Sequence, residues 1–248
     1  MVESPHPNQC NSSDYRPSIS VFFPCHNEAA AIETLVAKTI DVLDAISTDY
    51  EIIIVDDGST DDTGQIADRL ADEIPAVRVV HHDKNRGYGA ALQSGFRAAV
   101  KELVFYTDGD AQFDIAELTA LPPLMRQYDI VSCYRRNRRE GLVRRFNAFC
   151  WGKLVGIVFG MKLRDVDCAF KLYKRRIFDD IEMKSAGALI DAEILARARK
   201  KGYTIAQCPV SHYPRRAGRS SGANIAVIAR AFAELFKLRR QILADSKK

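Results

Sequence analysis

The segment EIIIVDDGS, residues 51–59, decides the fold class. Glu51–Asp56 is a near-continuous run of β-branched apolar residues, the pattern of a strand buried on both faces of a parallel sheet. The run stops at Asp56 and Asp57, and Gly58-Ser59 turn the chain. Ser59, Thr60 and Asp61 then offer capping side chains ahead of a helical pattern over Thr63–Glu73. Outward from there the rhythm repeats. Ser18–Pro24 reads as the preceding strand, and Val77–His81, Leu103–Thr107 and Ile130–Tyr134 read as the following ones. Helical patterns lie between them at Glu28–Ile46, Gly89–Ala99 and Ile115–Gln127. Such alternation predicts an α/β fold with a mostly parallel, doubly wound sheet flanked by helices.

After Tyr134 the rhythm changes. A helix is expected from about Arg144 to Phe159, a short strand at Ala169–Tyr173, a helix at Asp191–Lys200 and a strand at Thr204–Pro209. Asn224–Ile242 is amphipathic, with Ile225, Ile228, Phe232, Leu235 and Phe236 on one face. One compact domain is expected over residues 16–243, with a nucleotide-binding half at 16–134 and an acceptor half at 135–243. Residues 1–15 read as a disordered lead-in and 244–248 as a flexible tail.

At 248 residues, with 47% hydrophobic and 27% charged, the chain can bury one sizeable core. The net charge of +4 says little, but its distribution says more. Between Arg135 and Arg145 six arginines face a single acid, Glu140, a block suited to phosphates, an anionic membrane surface or nucleic acid. The six cysteines form no C-x-x-C pair and have no zinc-site spacing, so reduced core thiols of a cytoplasmic protein are expected. The longest apolar stretch, Leu154–Met161, is far short of the ~20 residues that span a bilayer. A soluble or peripheral protein is therefore expected.

Two strand ends carry the chemistry. Ligands of open α/β sheets bind outside the carboxyl ends of the strands. Asp56 and Asp57 stand at one such end, where a capping turn needs only one acid, and suit a base N–H and ribose hydroxyls. Asp108-Gly109-Asp110-Ala111-Gln112 follows Leu103–Thr107 at another. Two carboxylates separated by a small residue can converge on one hard divalent cation, Mg2+ or Mn2+, with Gln112 adding an oxygen or orienting water. Asn85-Arg86-Gly87-Tyr88-Gly89 reads as a β–α turn whose glycines would permit close approach of a phosphate. Arg215-Arg216-Ala217-Gly218-Arg219-Ser220 reads as a phosphate grip or a solvated loop.

In this order the motifs resemble glycosyltransferase family 2, of the GT-A fold. Pro24-Cys25-His26-Asn27-Glu28 is similar to its P-x-x-N-E turn, and Val55–Ser59 to its V-D-D-G-S. Asn85-Arg86-Gly87 and the D-x-D complete the series. Within the family, Asp108–Gln112 resembles the D-A-D-x-Q of polyprenyl-phosphate (dolichyl-phosphate mannose type) synthases. Asp165–Lys171 resembles their D-x-x-S/C-G-F-K/R, and Arg215–Ser220 their R-x-x-G-x-S. Ala169 replaces the usual glycine, and Ser221 stands where a lysine is frequent.

The resemblance implies an inverting transfer of a hexose from a nucleotide-sugar, GDP-mannose first among them, to a polyprenyl phosphate at the cytoplasmic membrane face. It implies Pro24, Asn27, Glu28, Asp56, Asp57, Arg86 and Asp108 at the nucleotide-sugar, and Asp108, Asp110 and Gln112 at the metal. Arg135, Arg144, Asp165, Arg215 and Ser220 fall to acceptor and phosphates, with Asp110, Arg135 and Arg215 as catalytic residues. An integral-membrane partner fits this reading and a nucleic-acid partner does not. A rival within the family, transfer to a glycan hydroxyl, needs a general base, and Asp191-Ala192-Glu193 offers the best candidates. A sugar nucleotidyltransferase is a further rival, although the first turn, Cys25–Glu28, lacks its glycine-rich signature.

Overall fold

The computed structural model describes residues 2–3, 15–136, 142–214 and 225–245, and the side chains of 15–136, 150–214 and 234–245. In chain order the elements are β1 (Val2–Glu3), β2 (Ile19–Cys25), α1 (Ile32–Ile46), β3 (Tyr50–Asp56), α2 (Thr63–Glu73), β4 (Val77–His81), α3 (Tyr88–Ala98) and β5 (Leu103–Thr107). They continue with β6 (Ile130–Arg136), α4 (Leu142–Phe159), β7 (Phe170–Lys174), α5 (Ile177–Asp180), α6 (Ile190–Lys200), β8 (Ile205–Ser211) and α7 (Ile225–Ala244).

The strands form one sheet in the order β1-β8-β6-β7-β5-β2-β3-β4. All pairings are parallel except those of β7, which runs antiparallel to both β5 and β6. Strands β2, β3 and β5 are buried almost throughout, as continuous apolar runs require when helices cover both faces. Helix α1 buries Ile32, Leu35, Val36, Thr39 and Leu43, a stripe at helical spacing. From β2 the chain winds outward through β3 to β4, then returns to place β5 on the other side of β2. The switch point therefore lies between β2 and β5, where open α/β sheets bind ligands.

Three local expectations are corrected. The helix expected from Glu28 begins at Ile32, because Asn27 sits at φ 60° and residues 29–31 form a turn. The helix expected over Ile115–Gln127 is two 3-10 segments, Ile115–Ala120 and Pro122–Arg126. Pro122 and Pro123 lack the N–H groups an α-helix needs there, and a proline disfavours helical geometry in the residue before it. Two residues of the expected lead-in, Val2–Glu3, pair in parallel with Ile205–Ala206.

Candidate active site

The switch point is fastened by Gly109, whose N–H donates to the Pro24 carbonyl at 3.4 Å. A Cβ on Gly109 would lie 2.5 Å from Cys25 Sγ, so only glycine lets the acidic turn press against the end of β2. Asp108 and Asp110 flank that glycine. Asp108 Oδ1 is fully buried and has no hydrogen-bond partner among the described residues. Burial, then the charge of Asp110, push the Asp108 carboxyl up to about 7, against the pull of the Tyr88 hydroxyl and Lys171. Asp110 Oδ1 accepts from Gln112 N at 3.1 Å, which fixes the turn, and Ala111 completes it at φ 54°. The Gln112 side chain donates Nε2 to Tyr213 O at 2.9 Å, leaving its amide oxygen as the group able to face a cation. A buried, unsatisfied carboxylate oxygen beside a second acid is the arrangement a divalent cation relieves. Among the described residues no three His, Cys, Asp or Glu side chains converge as a closed metal cage. Two carboxylates suit a cation that completes its shell with diphosphate oxygens and water.

Beneath this turn lies a buried polar floor. Lys171 Nζ on β7 reaches Asp191 Oδ1 at 2.7 Å and Tyr106 Oη at 3.0 Å, and Tyr106 also donates to Asp191. Lys171 and Tyr106 are fully buried and Asp191 nearly so. Glu193, also fully buried, accepts from Lys184 N, Ser185 N and Arg197 Nε. Both acids proposed as bases for a hydroxyl acceptor are thus held by cations or backbone amides and are not presented to a substrate.

The Asp56-Asp57 pair is also engaged inside the protein. Asp56 accepts from Ser59 N at 3.0 Å and meets His81 Nδ1 at 3.1 Å. His81 Nε2 meets Asp68 at 2.8 Å, and the two carboxylates raise the imidazole pKa, Asp68 contributing most. Asp57 accepts from Arg86 N at 2.8 Å, Gly87 N at 2.9 Å and His82 Nδ1 at 2.6 Å. Because a carboxylate only accepts, His82 donates from Nδ1 and its Nε2 accepts the Ser94 hydroxyl at 2.9 Å. Asn27 Oδ1 accepts from Thr60 N at 2.8 Å and Asp61 N at 3.3 Å, and Glu28 N donates to Thr63 Oγ1 at 2.8 Å. These residues weld three loops into a single wall, and the Arg86 side chain beside it is exposed. The glycines of Asn85–Gly89 answer a packing need. A Cβ on Gly89 would meet the Ala186 carbonyl carbon at 2.5 Å, so a second backbone packs against this β–α turn.

Arg135 at the end of β6 forms a bidentate pair with Asp165, Nε–Oδ2 2.7 Å and Nη2–Oδ1 2.9 Å. The expected partners Arg135 and Asp165 thus bind each other, and Asp165 aims the guanidinium. Arg144 lies in α4 with its side chain outside the described residues, and Arg215 and Ser220 lie outside the described residues altogether. The base of that last segment is tied down, since Tyr213 N donates to Gln112 O at 2.8 Å and Phe113 bridges His212. Asp167 was missed in sequence because its motif is anchored on Asp165 and Lys171. Its side chain is exposed, and desolvation by the backbone around it, then the charges of Asp191 and Asp165, raise its pKa above the ordinary carboxylate value.

Comparison with known proteins gives these features a common frame. A glycosyltransferase, AglD, of Haloferax volcanii is 32% identical over 211 residues, 79% of this chain and 33% of that one. A dodecaprenyl-phosphate galacturonate synthase of Rhizobium johnstonii is 31% identical over 169 residues, 66% of this chain and 50% of that one. The chain spans between a third and about half of the length of these relatives. Among solved structures, a mannosyltransferase of Pyrobaculum calidifontis in complex with GDP-Man and Mn2+ is similar in fold, with a TM-score of 0.66 at 24% identity over 91% of this chain and 64% of that one. The model of the family described as "Glycosyl transferase family 2" matches residues 20–182, from the first core strand through the acidic turn to β7 and α5. By that match, over most of its length, the chain belongs to glycosyl transferase family 2.

Proposed function

We propose that this chain transfers a hexose from a nucleotide-sugar to a polyprenyl phosphate at a membrane surface, with inversion, and that GDP-mannose is the first donor to test. The observation that carries the reading is the unsatisfied buried Oδ1 of Asp108 beside Asp110 at the switch point of a family 2 fold. Asp108, Asp110 and the Gln112 amide oxygen are the groups that would hold Mg2+ or Mn2+. Such a cation, when bound, neutralises charge on a departing nucleoside diphosphate. The loop wall built by Asn27, Glu28, Asp56 and Asp57 seats the nucleoside, with Pro24 beneath and Arg86 at the rim.

A lipid phosphate is the acceptor that needs least from the protein. Its second pKa is about 6, so at pH 7 it is largely ionised and attacks the anomeric carbon without a base. Asp191 and Glu193 are committed to Lys171, Arg197 and backbone amides, which agrees with that chemistry. Arg135, aimed by Asp165, offers its remaining N–H groups to phosphate oxygens, and Arg144, Arg215 and Ser220 are proposed to join it. Dodecaprenyl phosphate is also in the name of the Rhizobium johnstonii relative.

No helix among the described residues is long and apolar enough to cross a membrane. Surface contact falls to α4 and α7, where Ile157, Phe236 and Leu243 are exposed among the basic residues Lys237, Arg239 and Arg240. An integral-membrane partner for the lipid product is part of the same proposal. Incubation with labelled GDP-mannose, UDP-glucose or UDP-N-acetylglucosamine and polyprenyl phosphate, with Mn2+, followed by organic extraction, tests the reading. Label in the organic phase supports it. Label only in water-soluble glycan, or none in either phase, sinks it.

A further inference from the structure

The last turns of α4, α6 and α7 come together around a cavity of about 410 Å³. That volume is within the roughly 300–1,000 Å³ of small-molecule sites. Val158 and Phe159 of α4 and Ile242 and Leu243 of α7 supply apolar walls. Arg199 and Lys200 at the end of α6 and Arg239 of α7 supply three cations, and no carboxylate lines the space. None of the residues assigned above to metal, nucleotide-sugar or acceptor is among them.

Charge makes the cavity a place for an anion. Arg199 Nη1 donates to the Gly160 carbonyl and Lys200 Nζ to the Ile242 carbonyl, which holds both side chains at the cavity. Each bond uses one N–H, whereas a guanidinium has five and an ammonium three. No acid among the described residues pairs with Arg199, Lys200 or Arg239. Asp245, just past the end of α7, is taken by Arg197 and Lys184. The carbonyl ends of the three helices contribute about half a negative charge each, which three whole positive charges outweigh.

The edge of the cavity makes that anion an amphiphile. Val100, Ile157, Tyr213, Phe236 and Leu243 are the large apolar side chains exposed among the described residues. Three of these five cluster here. Leu243 lines the cavity, Ile157 adjoins Val158, and Phe236 stands one turn before Arg239 and Arg240. At helical spacing Phe236, Arg239, Arg240 and Leu243 share one face of α7. A soluble anion has no use for such an edge. A phospholipid offers a phosphate to the cations and an acyl chain to the apolar walls. The chain's own segments beside α4 and α7 suit the cavity poorly, because residues 137–141, 215–224 and 246–248 carry seven basic residues and one acid.

We infer that this cavity binds an anionic phospholipid of the bilayer, with the phosphate at Arg199, Lys200 and Arg239 and the start of an acyl chain against Val158, Phe159 and Leu243. The inference rests on the membrane part of the proposed function, but not on the sugar, the nucleotide or the acceptor. It turns a contact along α4 and α7 into a seated lipid and brings α6 into it.

Flotation with vesicles of phosphatidylcholine, alone or mixed with phosphatidylglycerol, tests this in wild type, Arg239→Gln, Arg240→Gln and Ala196→Leu. Arg239 and Arg240 are adjacent, exposed and equal in charge, but only Arg239 lines the cavity. A basic residue near an anionic surface contributes a factor of about five wherever it stands, and a hydrogen bond to a charged group about ten or more. Arg239→Gln should therefore weaken binding to the mixed vesicles about tenfold or more, and Arg240→Gln about fivefold or less. Ala196 lines the cavity, so Ala196→Leu fills it while keeping every charge, and should lose the preference for phosphatidylglycerol with its melting transition intact. If that variant does not fold, the arginine pair decides alone. Inorganic phosphate should displace the protein from vesicles no more than chloride of equal ionic strength does. Displacement beyond that would mean a site for a free anion and overturn the inference. Equal losses in the two arginine variants, or equal binding to both kinds of vesicle, would mean a general basic surface and overturn this inference alone. Wild type that floats with neither kind overturns the membrane part of the proposed function as well.

Discussion

Gln112 and Tyr213 hold each other by two hydrogen bonds, Tyr213 N to Gln112 O at 2.8 Å and Gln112 Nε2 to Tyr213 O at 2.9 Å. One belongs to the acidic turn after β5, the other to the chain leaving β8. The acidic turn is thereby tied to the segment that leads to Arg215. Gln112→Leu keeps the backbone bond and deletes the other. Stability should change by only about 1 kcal/mol, since a half-exposed neutral hydrogen bond contributes little net. Transfer should fall at least ~10-fold, because misplacement by an ångström is costly in catalysis. Chemical denaturation beside steady-state kinetics checks both halves.

Asp108 gives a pH prediction with a definite sign. The unfolded chain releases this proton near the ordinary carboxylate value, whereas the folded chain holds it until about 7. Between those values the native state binds the extra proton, so stability falls as pH rises. Asp108→Asn removes that penalty. In EDTA the variant should melt above wild type at pH 8, with the gap closing toward pH 4 and transfer abolished throughout. A gap that widens in acid would refute the assignment.

Gly109→Ala should cripple transfer through one contact. Its Cβ would sit 2.5 Å from Cys25 Sγ, so the acidic turn must lift off β2. Removing the sulfur in Cys25→Ala/Gly109→Ala should restore most of the lost Mn2+ affinity. The coupling, read from a double-mutant cycle on metal titrations, is expected at about 1–3 kcal/mol.

Lys171→Met leaves Asp191 buried without its cation. Breaking a buried pair from one side typically costs about 3–5 kcal/mol, and urea unfolding at pH 7 should show a loss of that size. Lys171→Met/Asp191→Leu should be more stable than the single variant.

The sheet was legible because each buried strand is a short run of apolar, largely β-branched or aromatic residues ending in a polar turn, as in Glu51–Asp56. What escaped were features that depend on partners far along the chain. β7 reads like any short apolar strand, and its antiparallel direction is set by pairing with β5 and β6. The prolines that break Ile115–Gln127 were visible, and the apolar spacing outweighed them wrongly. In the site, the Asp108–Asp110 turn was readable from its place at a strand end. The internal engagement of Asp56, Asp57 and Asp191 was not, because His81, His82 and Lys171 stand 20 to 25 residues away. Asp167 carries no local signal at all.

The loop wall around Asp57 has a thermodynamic side. Asp57 gathers the amides of Arg86 and Gly87 and the ring of His82, while Asn27 gathers those of Thr60 and Asp61. The entropy of ordering these loops is therefore lost when the chain folds, not when a nucleotide arrives. Association at that wall should resemble rigid docking, with a heat-capacity change set by the surface the base and ribose cover and no added signature of coupled folding.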